Sequence, residues 1–170
     1  MEILWAPWRG KYIRMSLAKQ ECIFCYHDGK KIIDINPSIS NLILYKSSTS
    51  FIIMNKYPYI NGHLMVVPYR HTSDILVLNE EEKLDIFRMI QFCVKLLKEV
   101  YNPVGFNVGI NIGKVAGAGI DNHIHFHVVP RFEADHNFMS TISDTRVINF
   151  SLEETYRDLY EKISKLDLEL

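Results

Sequence analysis

This sequence of 170 residues lacks three features that would assign it to a broad class of proteins: a membrane-spanning segment, an excess of basic residues and a secretion signal. No apolar run approaches the roughly 20 residues that a bilayer-spanning helix needs, so no membrane segment is expected. Basic residues are not in excess, since 19 Lys and Arg stand against 20 Asp and Glu for a net charge of -1. A general nucleic-acid-binding protein usually has a basic bias, so that class is not expected either. Nor do we expect a secretion signal, because Trp5, Pro7, Trp8, Arg9 and Lys11 interrupt any apolar core near the amino terminus.

Cysteine is scarce, with three residues, an odd number. In a chain without a secretion signal, this count does not indicate a disulfide framework, and we expect a cytoplasmic protein. Cys93 lies in an apolar helical pattern and is predicted to be a core residue. The length fits one domain over residues 1–170, with residues 1–20 as an N-terminal extension.

The sequence pattern predicts an α+β fold built on an antiparallel sheet of about five strands. Strands are expected at residues 42–45, 51–54, 64–67, 106–112 and 123–129. Asn79 and Glu82 form a capping-box pattern that opens a long helix. Its periodic apolar positions are Leu84, Phe87, Ile90, Val94, Leu97 and Tyr101. Ser151 and Glu154 form a second such box, which opens a C-terminal helix over residues 151–170.

The most informative stretch is His123-Ile-His125-Phe-His127, which places three imidazoles two residues apart. In a strand, side chains at this spacing share one face. The three rings are therefore expected on its open side, while Ile124, Phe126 and Val128 pack into the core. Histidine serves as a nucleophile and as a metal ligand. The row indicates a nucleophilic site or a metal site, and a metal site would ordinarily recruit a further His, Asp or Glu.

A glycine-rich loop containing Gly113, Gly117 and Gly119 leads into the histidine strand. Glycine permits positive φ, and successive amides in such a loop can form an anion-binding nest. The loop matches neither a dinucleotide-binding motif nor a P-loop, and by itself a plain strand connection explains it. Its position suggests a phosphate site beside a histidine nucleophile. His125 is best placed for attack because it has another imidazole on either side.

These motifs, together with Asn55 and Gly62-His63, resemble the histidine-triad (HIT) family of nucleotide hydrolases and transferases. Residues 105–113, the continuation to residues 137–139, and the segment Trp5-Ala-Pro-Trp8-Arg9 are similar to its diadenosine tetraphosphate phosphorylase branch. The resemblance implies a homodimer that cleaves dinucleoside polyphosphates at an α-phosphate. We expect no tightly bound catalytic metal, because Asp121 is the only carboxylate near the proposed phosphate site. Phosphorolysis would give ADP and ATP. The alternatives are hydrolysis of dinucleoside polyphosphates or nucleoside phosphoramidates, and a zinc-stabilised nucleotide-binding module.

The resemblance also implies roles for individual residues. His125 would form the covalent nucleotidyl intermediate, His127 and His63 would contact phosphate oxygens, and His123 would orient the triad. The residues implied in nucleotide and phosphate binding are Asn55 for ribose, and His63, Asn111, Gly117 and Gly119 for phosphate. Two departures stand out: Ala118-Gly119-Ile120 replaces the Gln and Ser or Thr of many relatives, and Asn55 replaces the Asp of some.

Some bacterial HIT proteins hold a structural zinc, and the resemblance places its ligands at Cys22, Cys25, His71 and His123. Two thiolates and two imidazoles suit closed tetrahedral zinc, while the simpler alternative is a pair of reduced thiols. Trp5 and Trp8 could cap a base, seal a dimer interface or only pack. His27 and His136 match no motif and are expected to be solvated.

Overall fold

The computed structural model describes residues 22–25, 36–133 and 148–166. Within these residues five strands and two α-helices follow one another in the predicted order. They are β1 (Ile43–Lys46), β2 (Ser50–Met54), β3 (Leu64–Pro68), α1 (Glu80–Tyr101), β4 (Gly105–Ile110), β5 (Phe126–Arg131) and α2 (Leu152–Ile163). Two 3₁₀ turns, Ile75–Val77 and Lys114–Ala116, precede α1 and follow β4. No helix in this described part is long and apolar enough to cross a membrane.

The strands form one sheet in the order β1-β2-β3-β5-β4, and every neighbouring pair is antiparallel. The first three strands are a meander, because short connections join them. Helix α1 then carries the chain across the sheet to β4, and β5 returns between β3 and β4. The predicted α+β fold with an antiparallel sheet is therefore confirmed.

Both predicted capping boxes are present. At α1, the Glu82 amide donates to Asn79 Oδ1 and the Asn79 amide donates to Glu82 Oε2, each at 2.9 Å. At α2, the Glu154 amide donates to Ser151 Oγ at 3.1 Å and the Ser151 amide donates to Glu154 Oε2 at 2.8 Å. These bonds satisfy amides that the first turn of a helix leaves without partners, so the sequence signals fix where both helices begin.

Helix α1 packs against one face of the sheet, and its predicted apolar period takes part only in its later turns, where Leu97 is buried and Ile90, Val94 and Tyr101 pack against the core. Leu84 and Phe87, the first two positions of that period, are 53% and 62% exposed and lie outside this contact. The buried apolar residues of α1 are Ile86, Met89, Phe92, Cys93, Leu96 and Leu97. Apolar residues occur on two sides of this helix, and helical periodicity alone does not say which side meets the sheet. Cys93 is fully buried, as predicted.

The opposite face of the sheet carries a second, smaller apolar cluster. Its buried members are Cys22, Phe24, Ile43, Phe51, Met65 and Val67. This cluster holds the short segment Cys22-Ile-Phe-Cys25 against β1, β2 and β3. Since side chains alternate along a strand, the residues of β3 and β5 that share this face are also the ones that can meet Phe24.

Candidate active site and metal centre

The three histidines of the motif lie at the entry to β5 rather than within one strand. β5 begins at Phe126, three residues later than predicted, so only His127 belongs to it. The residues before β5 are nevertheless tied to the segment that follows β3, because the Ile124 amide donates to the carbonyl of Thr72 at 2.7 Å. Ile124 and Val128 are buried in the main core, as predicted, and Phe126 packs against it.

The prediction that the imidazoles occupy an open face was wrong. His123 and His125 are only 1% and 5% exposed. Phe24 lies against both, with its ring centroid 5.4 Å from that of His123 and 5.1 Å from that of His125. The rings are covered by an aromatic side chain from a distant part of the chain, which strand alternation could not reveal.

His125 has the geometry of a neutral nucleophile. Its Nδ1 lies 2.9 Å from the carbonyl oxygen of His123. A carbonyl can only accept, so Nδ1 carries the proton and Nε2 keeps its lone pair. Burial lowers the pKa of His125 below its usual range, although the hydrogen bond to the His123 carbonyl opposes this effect. The ring is therefore uncharged at neutral pH, the form that can attack phosphorus.

His63 joins the cluster from the start of β3. Its Nε2 lies 3.0 Å from His127 Nδ1, and the amide of Tyr59 donates to its Nδ1 at 3.2 Å. Both ring nitrogens of His63 thus have protein partners. Burial, followed by the nearby His127 and His125, lowers the pKa of His63 to about 3. Burial, followed by His125, lowers the pKa of His127 to about 4.

The loop between β2 and β3 positions His63. Gly62 adopts a φ of +77°, and a Cβ there would lie 2.9 Å from a methyl carbon of Leu97 on α1. A larger residue is therefore excluded by both conformation and space. Asn55, at the start of this loop, accepts the Tyr57 amide at Oδ1 (2.9 Å), and its Nδ2 lies 3.4 Å from His63 Nδ1.

The glycine-rich loop begins beside the histidines. β4 pairs with β5 up to Ile110 and Phe126, and continuing that register places Asn111 opposite His125. Gly113 and Gly117 adopt φ values of +81° and +89°, while Gly119 does not have a positive φ. A Cβ at Gly117 would lie 3.9 Å from the side-chain nitrogen of Asn111, so these two residues are neighbours.

The loop differs from the expected nest of amides. The amides of Ala116 and Ala118 both donate to the carbonyl of Gly113, and the amide of Gly117 donates to that of Lys114. These three N–H groups are used within a 3₁₀ turn, because the turn closes on itself. These three amides are therefore not donors for a bound anion, and the turn contributes to the site through its shape.

The four predicted metal ligands converge. One ligand atom from each of Cys22, Cys25, His71 and His123 lies within 4.8 Å of the others. His123 Nδ1 is 3.3 Å from Cys22 Sγ and 3.2 Å from Cys25 Sγ, and His71 Nδ1 is 3.2 Å from Cys25 Sγ. Tetrahedral zinc with ordinary bond lengths would separate such sulfur and nitrogen atoms by about 3.6 Å. The donor set and its spacing therefore fit zinc.

The protonation of the cluster depends on whether a cation is bound. Burial, together with the neighbouring Cys22 thiol, raises the pKa of Cys25 to about 12, so this thiol is protonated without a metal. Zinc binding at this position would therefore have to displace the thiol proton. His123 Nε2 lies 2.9 Å from the carbonyl oxygen of Pro68, so Nε2 carries the proton and Nδ1 is the ligand atom.

His123 connects the two sites. Its ring faces the sulfur atoms while its own carbonyl oxygen accepts a hydrogen bond from Nδ1 of His125.

Sequence reasoning did not find Phe24, Tyr59 or Pro68, which cover or orient the histidines. Phe24 had one signal, its place between the two cysteines, whereas Tyr59 and Pro68 act through main-chain atoms and had none.

Several other predictions fall outside the described residues. These concern Trp5, Trp8, His27, His136 and residues 137–139. The C-terminal helix ends at Ile163, with Ser164 as its C-cap and a turn at residues 164–166, so the prediction of a helix over residues 151–170 was wrong in its extent. Tyr156 and Leu159 are buried on the inner side of the helix.

Comparisons with known proteins agree with this geometry. The family model of the HIT domain matches residues 36–134. The AP-4-A phosphorylase of Mycobacterium tuberculosis is 34% identical over 160 residues, which cover 92% of this chain and 82% of that protein.

Two solved structures share the fold. A Zn-bound histidine triad family protein from Mycobacterium smegmatis matches with a TM-score of 0.59 and 23% identity, over 91% of this chain and 93% of that one. The diadenosine triphosphate hydrolase of Plasmodium falciparum matches with a TM-score of 0.62 and 20% identity, over 91% of this chain and 97% of that one. At these identities the likeness concerns the fold.

Proposed function

Because this chain belongs to the HIT domain family, we propose that it is an enzyme that cleaves dinucleoside polyphosphates at an α-phosphate, with His125 as the nucleophile. The observation that carries the proposal is the hydrogen bond from His125 Nδ1 to the His123 carbonyl, which leaves the Nε2 lone pair for attack. The relative from Mycobacterium tuberculosis, an AP-4-A phosphorylase by name, supports this substrate class.

The reaction proceeds in two displacements. His125 Nε2 attacks the α-phosphorus, the bond from phosphorus to the bridging oxygen breaks, and the remaining polyphosphate leaves with that bond's electron pair. The resulting ring carries a positive charge, which the His123 carbonyl stabilises through Nδ1–H. An oxygen of inorganic phosphate then attacks the same phosphorus and the P–N bond breaks. Diadenosine tetraphosphate and phosphate thus give ATP in the first step and ADP in the second.

The neighbouring residues bind and orient the substrate. We assign His127 to the phosphate oxygens, Asn111 with Gly117 and Gly119 to the border of the phosphate chain, and Asn55 to the ribose. Both nitrogens of His63 are already bonded within the protein, so we assign it to holding His127 rather than to direct phosphate contact. We propose that no step needs a tightly bound catalytic metal, because the charge developing on phosphate would be met by the ring N–H of His127 and the side-chain amide of Asn111.

We also propose a structural zinc at Cys22, Cys25, His71 and His123. When bound, the ion supplies a fixed cross-link between the Cys22-Ile-Phe-Cys25 segment and the histidine motif. The chain's own contribution is the Pro68 carbonyl, which orients His123, and Phe24, which covers His125.

Two copies of the chain are proposed to associate through β4. This strand lies at an edge of the sheet, and Val104 and Val108 on or beside it are 67% and 48% exposed. An edge strand with exposed apolar side chains and unpaired main-chain groups favours pairing with another copy. A homodimer built in this way would extend the sheet across both protomers.

Product analysis tests the proposed reaction. With diadenosine tetraphosphate, ADP and ATP appearing only when inorganic phosphate is present supports phosphorolysis, whereas AMP and ATP without phosphate would show hydrolysis. Without phosphate, intact mass spectrometry should detect an AMP adduct on wild-type protein and none on His125→Ala. Unfolding curves of both proteins serve as the control for folding. Unchanged turnover in His125→Ala would refute the role of His125, and retained nucleotide binding without any turnover in the wild type would favour the binding-module alternative.

A further inference from the structure

The ring nitrogen Nδ1 of His63 faces two N–H groups. The Tyr59 amide donates to it at 3.2 Å, and the side-chain Nδ2 of Asn55 lies 3.4 Å away. The orientation of the Asn55 amide is itself fixed, because its Oδ1 accepts the Tyr57 amide at 2.9 Å. Nδ1 of His63 is therefore an acceptor and carries no proton in this arrangement.

We propose that Asn55 and the Tyr59 amide together act as a positioning pair that sets the tautomers of His63 and His127. With Nδ1 unprotonated, neutral His63 carries its proton on Nε2. That proton is donated to His127 Nδ1 across 3.0 Å. His127 in turn keeps its proton on Nε2. The hydrogen bonds therefore run in one direction. The Tyr59 amide donates to His63, His63 donates to His127, and His127 keeps one N–H group, on Nε2.

This arrangement gives the two neighbouring motif histidines opposite protonation patterns. His125 has its proton on Nδ1 and a lone pair on Nε2, because it donates to the His123 carbonyl. His127 has a lone pair on Nδ1 and its proton on Nε2. In a site that acts on phosphate, the first ring can attack and the second can donate to an oxygen. The catalytic consequence rests on the proposed function, whereas the tautomers rest on the hydrogen bonds alone.

The Tyr59 amide and residue 55 act on the same ring nitrogen, so the chemistry of residue 55 either supports or opposes this tautomer. Asparagine offers an N–H group to His63 Nδ1, while an aspartate in the same place would offer only an acceptor. An acceptor would draw a proton onto Nδ1 and oppose the bond from the Tyr59 amide. Asn55, the residue implied in ribose binding, thus also contacts His63, the ring that holds His127. Tyr59 contributes further by stacking its ring on His63, with centroids 4.7 Å apart.

Nuclear magnetic resonance of ¹⁵N-labelled protein tests the proposal directly, since long-range ¹H–¹⁵N correlations distinguish a protonated ring nitrogen from one with a lone pair. At neutral pH the wild type should show His63 and His127 protonated on Nε2 and His125 protonated on Nδ1. Asn55→Asp should place a proton on Nδ1 of His63. Asn55→Ala should retain the wild-type pattern, because the Tyr59 amide remains.

Asn61→Asp is the matched control. It adds the same charge in the same loop, where the side chain contacts main-chain atoms of Asn149 and Phe150 and no histidine. We expect the wild-type tautomers in this variant and turnover within about twofold of wild type, against a loss of roughly 10- to 100-fold in Asn55→Asp. A wild-type His63 protonated on Nδ1, or Asn55→Asp with unchanged ring nitrogens, would overturn the proposal even in an active enzyme. Correct tautomers in a protein without turnover would instead count against the proposed function alone.

Discussion

Asp85 gives the sharpest prediction for stability. It lies on α1 and is 6% exposed, and its carboxylate binds the turn between β1 and β2. Oδ1 accepts the hydroxyl of Ser47, while Oδ2 accepts the hydroxyl of Ser50 at 2.6 Å and both the hydroxyl and the amide of Thr49 at 3.0 and 3.2 Å. Burial raises the pKa of Asp85, but these hydrogen bonds together outweigh it and hold the pKa below its ordinary value.

Asp85→Ala removes four acceptor contacts at once. Ser50 is fully buried, so its hydroxyl loses its partner where water cannot replace it, whereas Ser47 and Thr49 are partly exposed and can bind water. An orphaned buried polar group costs about 1–3 kcal/mol, and the alanine also leaves a void. We therefore expect a loss of about 3–5 kcal/mol in the free energy of unfolding. Asp85→Asn keeps the shape and one acceptor oxygen, and should lose about 1–2 kcal/mol.

Urea denaturation at pH 7 measures the loss of unfolding free energy in both variants. Glu81→Gln is the control, because it removes an exposed carboxylate from the same helix. It should change the free energy of unfolding by no more than about 1 kcal/mol. A folded-state pKa below the unfolded value of 3.8 means that the stabilisation is present above that pH and is lost as pH falls through the folded pKa. The gap between wild type and Asp85→Asn should accordingly shrink in acid. Asp85→Ala within 1 kcal/mol of wild type at pH 7 would refute this reasoning.

Three further predictions concern the metal, the histidines and the dimer. Metal analysis should find about one zinc ion per chain in the wild type, and Cys25→Ser should lose it together with several degrees of thermal stability; a metal-free wild type of equal stability would contradict this. Burial lowers the pKa of His63 from 6.5 to about 3, so its contribution to stability is complete above pH 6.5 and is lost as pH falls toward 3. The wild type should thus lose about 1.4 kcal/mol more per pH unit than His63→Gln between roughly pH 6 and pH 4, and parallel urea-derived curves would argue against it. Val108→Lys on the β4 edge should convert a dimer into a monomer by light scattering, and an unchanged mass would exclude pairing through this strand.

Much of the fold followed from local signals in the sequence. The capping boxes at Asn79 and Ser151 marked both helix starts, and short apolar runs bounded by turns marked all five strands to within a few positions. The buried face of α1 did not follow, because Leu84 and Phe87 continue the apolar period on a side that the sheet does not cover. Which of two apolar stripes is buried depends on where the sheet lies, and that is a tertiary property.

The candidate site was predictable where its chemistry depends on side-chain type. The spacing of His123, His125 and His127 brought the rings together although β5 begins only at Phe126, since the Ile124 amide ties the preceding residues to the segment that follows β3. The convergence of Cys22 with His123 over 101 positions came from the resemblance, because no local pattern pairs residues so far apart. The burial of His123 and His125 beneath Phe24 could not be foreseen from the alternation of side chains within one strand.

The proton positions lie beyond any reading of side-chain types, because main-chain atoms set them. The carbonyls of His123 and Pro68 and the amide of Tyr59 each fix one imidazole, and every residue in a chain except proline offers both groups. An alanine scan would therefore pass over Pro68, since truncating its side chain leaves the main-chain carbonyl in place, and at Tyr59 it would test the ring that stacks on His63 but not the amide. Asn55 is the exception, because here the donor belongs to a side chain and one isosteric change reverses it. That is why a substitution at Asn55, and not at the histidines, tests the proton positions of these rings while leaving the imidazoles themselves in place.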